Sequence, residues 1–166
     1  KLPESMPGIV VVQHMPGSFT GSFAERLDRN SKLTVVEATN GEVLEAGKVY
    51  LAPGEQHMLV ESANRGYRIR LNDGPLVCRH RPSVDVLFRS VAQEARHHAL
   101  GVILTGMGDD GAQGMLEMKE MGAFNVAQDE SSCVVYGMPK VALAKGGVDQ
   151  VLALKEIPEL LVQRTH

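Results

Sequence analysis

Cysteine is scarce in this chain. Cys78 and Cys133 are the only two among 166 residues, too few for a disulfide framework or a four-thiolate metal site. Neither lies in a Cys-x-x-Cys pair, and a reducing cytosol is the compartment that fits. Charge of one sign is equally lacking: the formal net charge is −3 and the basic residues are scattered. Without a basic stripe or a charged tail, neither nucleic acid nor a membrane surface is an expected partner. No apolar run approaches the length a bilayer requires, and no charged segment leads into an apolar signal core at the amino terminus. Direct membrane insertion is therefore not expected. The chain opens at Lys1-Leu2-Pro3 only a few residues before a strand, which leaves room for a preceding segment.

What remains is the composition of an ordinary globular protein, with 43% hydrophobic residues, 22% charged residues and no tryptophan. Its length suffices for one self-contained domain over residues 1–166. The most informative stretch is Gly101 to Ala112, where the apolar run Val102-Ile103-Leu104 stops at three glycines and the adjacent Asp109 and Asp110. A helical pattern follows at once, so the punctuation is strand, tight loop, helix. In open α/β sheets, ligands sit at the carboxyl ends of such strands. One of the two aspartates is expected to cap the helix beginning near Ala112, which leaves the other available.

The same reading places strands at Ile9–Gln13, Leu33–Ala38, Lys48–Ala52 and Ala123–Gln128, with an edge strand at Val151–Leu154. Met58–Glu61 and Tyr67–Leu71, joined through Asn64-Arg65-Gly66, predict a β-hairpin added antiparallel to a mainly parallel sheet. Ser18 is expected to cap a helix to Asn30 whose inner face is Phe19, Phe23 and Leu27. Ser83 is expected to cap a long helix burying Val84, Leu87, Phe88, Val91 and Ala95. Further helices are predicted at Gln113–Met121, ended by Gly122, from Pro139 to Gly146-Gly147, and at Pro158–Arg164. Alternation of strands and helices predicts a three-layer α/β/α sandwich.

Several polar groups fall at the ends of predicted strands: His14, the pair Asp109 and Asp110, and Gln128 with Asp129 and Glu130. A histidine and an aspartate from separate strands suit acid-base chemistry, the imidazole taking a proton and the carboxylate fixing its tautomer. A structural hydrogen-bonding histidine is the alternative. No Gly-x-Ser-x-Gly elbow occurs. Ser131 and Ser132 follow a strand, and Cys133 lies in an apolar context where a thiol is inert, although a Cys133-His14-Asp110 triad is conceivable. His14, His57, His80, Asp109 and Asp110 are eligible metal ligands. No two of the histidines have a one-element ligand spacing, and His97 and His98, adjacent on a helix, should point apart, so no metal and no cofactor is expected. Arg79 and Arg81 are either solvated loop charges or a clamp for an acidic partner.

Taken together, Gln13-His14-Met15-Pro16, Ser22-Phe23-Ala24-Glu25-Arg26-Leu27, Leu51-Ala52-Pro53-Gly54, the run from Arg79 through Phe88, Gly101 through Ala112, and Tyr136-Gly137-Met138-Pro139 resemble the methylesterase domain of the chemotaxis CheB family. The resemblance implies a doubly wound α/β sandwich with an antiparallel hairpin. It also implies a serine hydrolase that removes methyl esters from glutamates, and often deamidates glutamines, on the cytoplasmic domains of methyl-accepting chemoreceptors, in the cytoplasm. Position by position, it places the catalytic histidine at His14, the catalytic aspartate at Asp110 and an active-site methionine at Met107. Arg79 and Arg81 are expected to contact substrate. The family's nucleophile is the serine of a Gly-Ala-Ser-Thr-Gly-Gly stretch upstream of the Gln-His-Met-Pro strand, which these 166 residues do not contain. The receiver domain that commonly precedes the catalytic domain is not in this sequence either, and it is an expected partner. Alone, the chain should hydrolyse little or nothing. The rival expectation is a receptor-binding or regulatory module of the same fold that has lost the reaction.

Overall fold

The computed structural model describes residues 2–165, which fall into two compact units. One runs up to Ser83 and includes the end of the chain from Val162; the other is Val84–Leu161.

In the first unit, β1 (Ile9–Val11), α1 (Gly17–Asn30), β2 (Thr34–Glu37) and β3 (Lys48–Leu51) form a parallel three-stranded sheet, ordered β1-β3-β2, and a helix. Ile9 pairs with Val49 and Val35 with Val49, so β3 is covered on both edges. Its β-branched and aromatic residues suit that place, and Tyr50 is fully buried. The Tyr50 hydroxyl donates to the Val43 carbonyl and accepts from the Glu45 N–H, both at 3.0 Å, while burial raises its pKa. Ala24, Val35 and Leu51 form a core against which Val11, Phe23, Leu27 and Val49 pack. Full burial of side chains the size of Val35 and Leu51 stabilises by about 1.5–3 kcal/mol each. Two details of the predicted helix differ. Pro16, not Ser18, occupies the N-cap position of α1, because the fixed proline backbone already ends the extended segment there. Phe19 is 58% exposed: the apolar stripe runs past the edge of the core in the first turn.

β4 (His57–Ser62) and β5 (Tyr67–Asn72) pair antiparallel as expected, with Gly66 at φ 72° in the connecting turn. They form a two-stranded sheet of their own and do not extend β1-β3-β2.

The second unit contains α2 (Val84–Glu94), a 3-10 turn at Arg96–His98, β6 (Leu100–Ile103), α3 (Ala112–Glu120), β7 (Phe124–Gln128), α4 (Met138–Ala144) and β8 (Gln150–Leu152), and α5 (Ile157–Thr165) begins there. Its strands are parallel in the order β6-β7-β8. α2 and α3 pack at Gly114, where an added Cβ would lie 2.7 Å from Phe88 Cβ. The fold is thus α/β, with parallel sheets, flanking helices and one antiparallel pair. Gly122, at φ 94°, ends α3 as expected. His97 and His98 do not point apart: the 3-10 turn brings their ring centroids to 4.0 Å, since its tighter winding places neighbours differently from an α-helix. Among the described residues, no helix is long and apolar enough to cross a membrane.

Candidate active site

In the first unit, β1 ends at Val11, two residues sooner than the apolar run suggests, and His14 stands in the irregular link Val12–Pro16. The link is seated against the loop that follows β3. The Ala52 N–H donates to the Val11 carbonyl at 2.9 Å and the Gly54 N–H to Thr20 Oγ1 at 3.2 Å. A Cβ on Gly54 would fall 2.2 Å from Gly17 Cα, so only glycine allows the two backbones to cross. That contact explains two separate motifs, Gln13-His14-Met15-Pro16-Gly17 and Leu51-Ala52-Pro53-Gly54, by one physical cause.

The half-buried His14 ring lies flat on His80, with centroids 3.6 Å apart and planes 3° from parallel. His80 closes a two-residue turn in which Val77 and His80 exchange both backbone hydrogen bonds, at 3.0 and 2.9 Å. Cys78 and Arg79 occupy its left-handed corners, at φ 48° and 66°. Arg81 Nη1 donates to the carbonyls of Asp73 and Gly74, at 3.1 and 3.0 Å, so this guanidinium braces the segment. Arg79 is exposed. His57, fully buried, ties down both ends of the segment. Its Nδ1 accepts the Ser83 N–H at 3.2 Å, which leaves Nε2 to donate to the Pro75 carbonyl at 2.8 Å.

In the second unit, Asp110 is only 1% exposed. Its Oδ2 accepts the Val84 N–H at 2.7 Å and its Oδ1 the Asp85 N–H at 2.9 Å, the first two amides of α2. The positive end of that helix and two charge-assisted bonds stabilise the negative charge. The N-cap of α3 is left-handed Gly111 and not an aspartate, contrary to expectation, and the Asp109 backbone carbonyl accepts the Ala112 N–H. Asp85 in turn accepts the Gly114 N–H at 2.7 Å. Asp109 is exposed.

Met107 is 79% exposed on a loop stitched to the segment after β7. The Gly106 carbonyl accepts the N–H groups of Gly137 and Met138, and Thr105 Oγ1 both donates to the Val135 carbonyl and accepts its N–H. Buried Gln128 joins the two sides, accepting the Thr105 N–H and donating to the Ser132 carbonyl, both at 2.8 Å. Val134, 91% exposed, is presented by the same segment. The Cys133 thiol is pushed up in pKa by burial, which disfavours the thiolate that nucleophilic attack requires. Ser132 and Ser131 donate to Asp129 and hold its carboxyl below the usual range. These serine hydroxyls are spent on a neighbouring carboxylate.

Residues 1–161 match the family described as CheB methylesterase. The chain belongs to that family. A solved CheB relative, the methylesterase catalytic domain of Thermotoga maritima, superposes with a TM-score of 0.96 at 42% identity, covering 99% of this chain and 87% of that one. Protein-glutamate methylesterase/protein-glutamine glutaminase 1 of Geobacter metallireducens is 55% identical over 160 residues, 96% of this chain and 44% of its own length. The enzyme of that name from the group 3 operon of Bradyrhizobium diazoefficiens is 57% identical over 157 residues, 95% of this chain and 43% of its own. The chain therefore spans less than half the length of these curated CheB relatives.

Sequence reasoning gave His57 and His80 no place except as eligible metal ligands. The sequence carries no signal for His80: Cys78 and Arg79 stand at left-handed corners without the glycine or asparagine that would mark such a turn.

Proposed function

We propose that this chain supplies the catalytic base and its carboxylate partner in a protein-glutamate methylesterase that also deamidates glutamine. The observation carrying this reading is the CheB family match through residues 1–161, whose relatives bear both activities in their names. The geometry supports it through Asp110, a buried carboxylate whose charge is held by the first amides of α2. The nucleophile is the serine that the family carries in its Gly-Ala-Ser-Thr-Gly-Gly stretch.

His14 removes the proton from that hydroxyl as the oxygen attacks the glutamyl γ-carbonyl, and Asp110 supplies the carboxylate that stabilises the resulting imidazolium. The tetrahedral adduct collapses as the imidazolium gives its proton to the leaving group, methanol from an ester or ammonia from an amide. Water, deprotonated by His14, then attacks the acyl-enzyme, and glutamate and the free serine are regenerated. The substrate is the cytoplasmic domain of a methyl-accepting chemoreceptor. Exposed Met107 and Arg79 contact it, with Arg81 two residues after Arg79. A response-regulator receiver domain is the proposed regulatory partner, and the cytoplasm is where substrate and enzyme meet.

The test extends the chain at its amino terminus with a family member's nucleophile segment and follows methanol release from methylated receptor fragments. The extended chain should release methanol. His14→Gln should reduce the rate by on the order of 10⁴. Release by the 166-residue chain alone that is lost on changing Ser131, Ser132 or Cys133 would overturn the assignment of the nucleophile, and undiminished release by His14→Gln would overturn that of the base.

A further inference from the structure

We propose that His80 is a positioning residue for the reaction, a flat mount that fixes the ring plane of His14. The proposal rests on the reading of His14 as the general base.

A base must aim one ring nitrogen at the hydroxyl and the other at its carboxylate, both within hydrogen-bond reach and in the plane of the ring. His14 does not get that aim from its backbone. It lies beyond the end of β1 in an irregular link, and the second side-chain torsion of histidine has a broad preference. A ring stacked 3.6 Å away and 3° from parallel removes most of that freedom, because tilting either ring would drive its edge into the other face. Rotation within the plane remains, and the hydrogen bonds of the two nitrogens are what can fix it.

A mount is useful only if it is itself rigid, and the segment carrying His80 is held at four places. Val77 and His80 bond each other twice, Arg81 binds the Asp73 and Gly74 carbonyls, and His57 binds Pro75 at one end and Ser83 at the other. The turn keeps Cys78 and Arg79 left-handed, where asparagine and glycine would be favoured, at roughly 1–2 kcal/mol per residue. Such conformations persist where surrounding contacts over-determine them, and they cluster at functional sites. A two-residue turn of this kind requires left-handed corners, and here the surrounding contacts hold Cys78 and Arg79 in them where glycine or asparagine is the usual choice.

The test uses His80→Ala and His80→Phe, the second keeping a flat ring without nitrogens. In the 166-residue chain, NMR of the His14 ring protons reads the stack without any turnover. His80→Ala should abolish the ring-current shift on those protons and His80→Phe should retain one, with the backbone amide spectrum otherwise unchanged. In the extended chain, His80→Ala should lower kcat by about tenfold to a hundredfold, the scale of a small misplacement of a catalytic group. KM should stay within about twofold, and His80→Phe should restore most of kcat. Unchanged kcat in His80→Ala, a loss confined to KM, or failure of His80→Phe to restore kcat while it restores the ring-current shift would overturn the proposal. Failure of the base reading is a different result: His14→Gln would then stay active although the ring-current shift on His14 in the unsubstituted chain shows the stack.

Discussion

His57 accepts the backbone N–H of Ser83 on Nδ1, and this bond fixes the tautomer of a fully buried imidazole. The other nitrogen must then carry the hydrogen, which it gives to the Pro75 carbonyl. One side chain at the start of β4 thereby spans the segment that presents Arg79, His80 and Arg81, and the loop becomes a braced structure.

His57→Phe tests the brace while keeping an aromatic ring in the buried site. It leaves a buried N–H at Ser83 and a carbonyl at Pro75 without this partner, each costing about 1–3 kcal/mol. Urea unfolding should show a loss of about 2–4 kcal/mol, and the ring-current shift on His14 should weaken as the His80 turn loosens. A stability within 0.5 kcal/mol of wild type, roughly the scatter of neutral surface changes, would mean that the two bonds do not hold the segment.

Asp110 is expected to be structural as well as chemical. In Asp110→Asn one carboxylate oxygen becomes an NH2 group that must face an α2 amide, so a good bond turns into a donor-donor contact and the charge at the helix end is lost. The expected loss is about 2–3 kcal/mol of stability together with the methylesterase rate. Equilibrium unfolding alongside the rate assay checks this, and an Asp110→Asn protein of full stability would limit the role of the carboxylate to chemistry.

Much of the strand-loop-helix from Gly101 to Ala112 was legible because its determinants are local. Gly108 and Gly111 stand at φ 94° and 95°, where glycine is favoured, and the apolar run before them has a strand's length. The partner of Asp110 was not legible. The neighbouring helix α3 offers amides close by in sequence, yet the carboxylate reaches amides 26 and 25 residues upstream, a choice made by tertiary packing. Phe19 was misjudged for a related reason: a spacing of four defines a stripe but not where the core under it ends. His14 and His80 are distant in sequence, and no periodicity relates them.

Stability should also fall in acid through Glu117. The Arg89 guanidinium bonded to it at 2.9 and 3.2 Å holds its carboxyl below the ordinary value of 4.5, with Gln113 assisting against partial burial. A folded-state pKa below the unfolded one means that the contribution is present above about pH 4.5 and disappears as pH falls through the folded value. The pair is partly exposed, so the contribution is about 0.5–1 kcal/mol. Unfolding free energies of wild type and Glu117→Gln should differ by that amount at pH 7 and converge near pH 3, values chosen to bracket the carboxylate range. A constant difference across that range would assign the effect to something other than the charge.

The last prediction concerns why β6 carries a glycine at position 101. Asn125, fully buried in β7, donates its side-chain amide to the carbonyls of Met115 and Gly147, at 2.7 and 2.8 Å, and so joins α3 to the turn after α4. Those two bonds fix the amide group, and they turn its oxygen toward Gly101, where an added Cβ would lie 2.3 Å away. Met118 Cε would lie 3.1 Å from the same Cβ. The methionine can give way but the asparagine cannot without breaking a bond. Gly101→Ala should therefore cost about 1–3 kcal/mol, the usual range for overpacking a core, although alanine is no worse than glycine for a strand backbone. Asn125→Ala should cost about 2–4 kcal/mol by leaving two buried carbonyls without these donors. The double variant decides between the explanations: if the clash is the cause, adding Gly101→Ala to Asn125→Ala should cost less than adding it to wild type, by about 1 kcal/mol or more in a double-mutant cycle. Strict additivity would mean that glycine is required at 101 for some reason other than the side chain facing it.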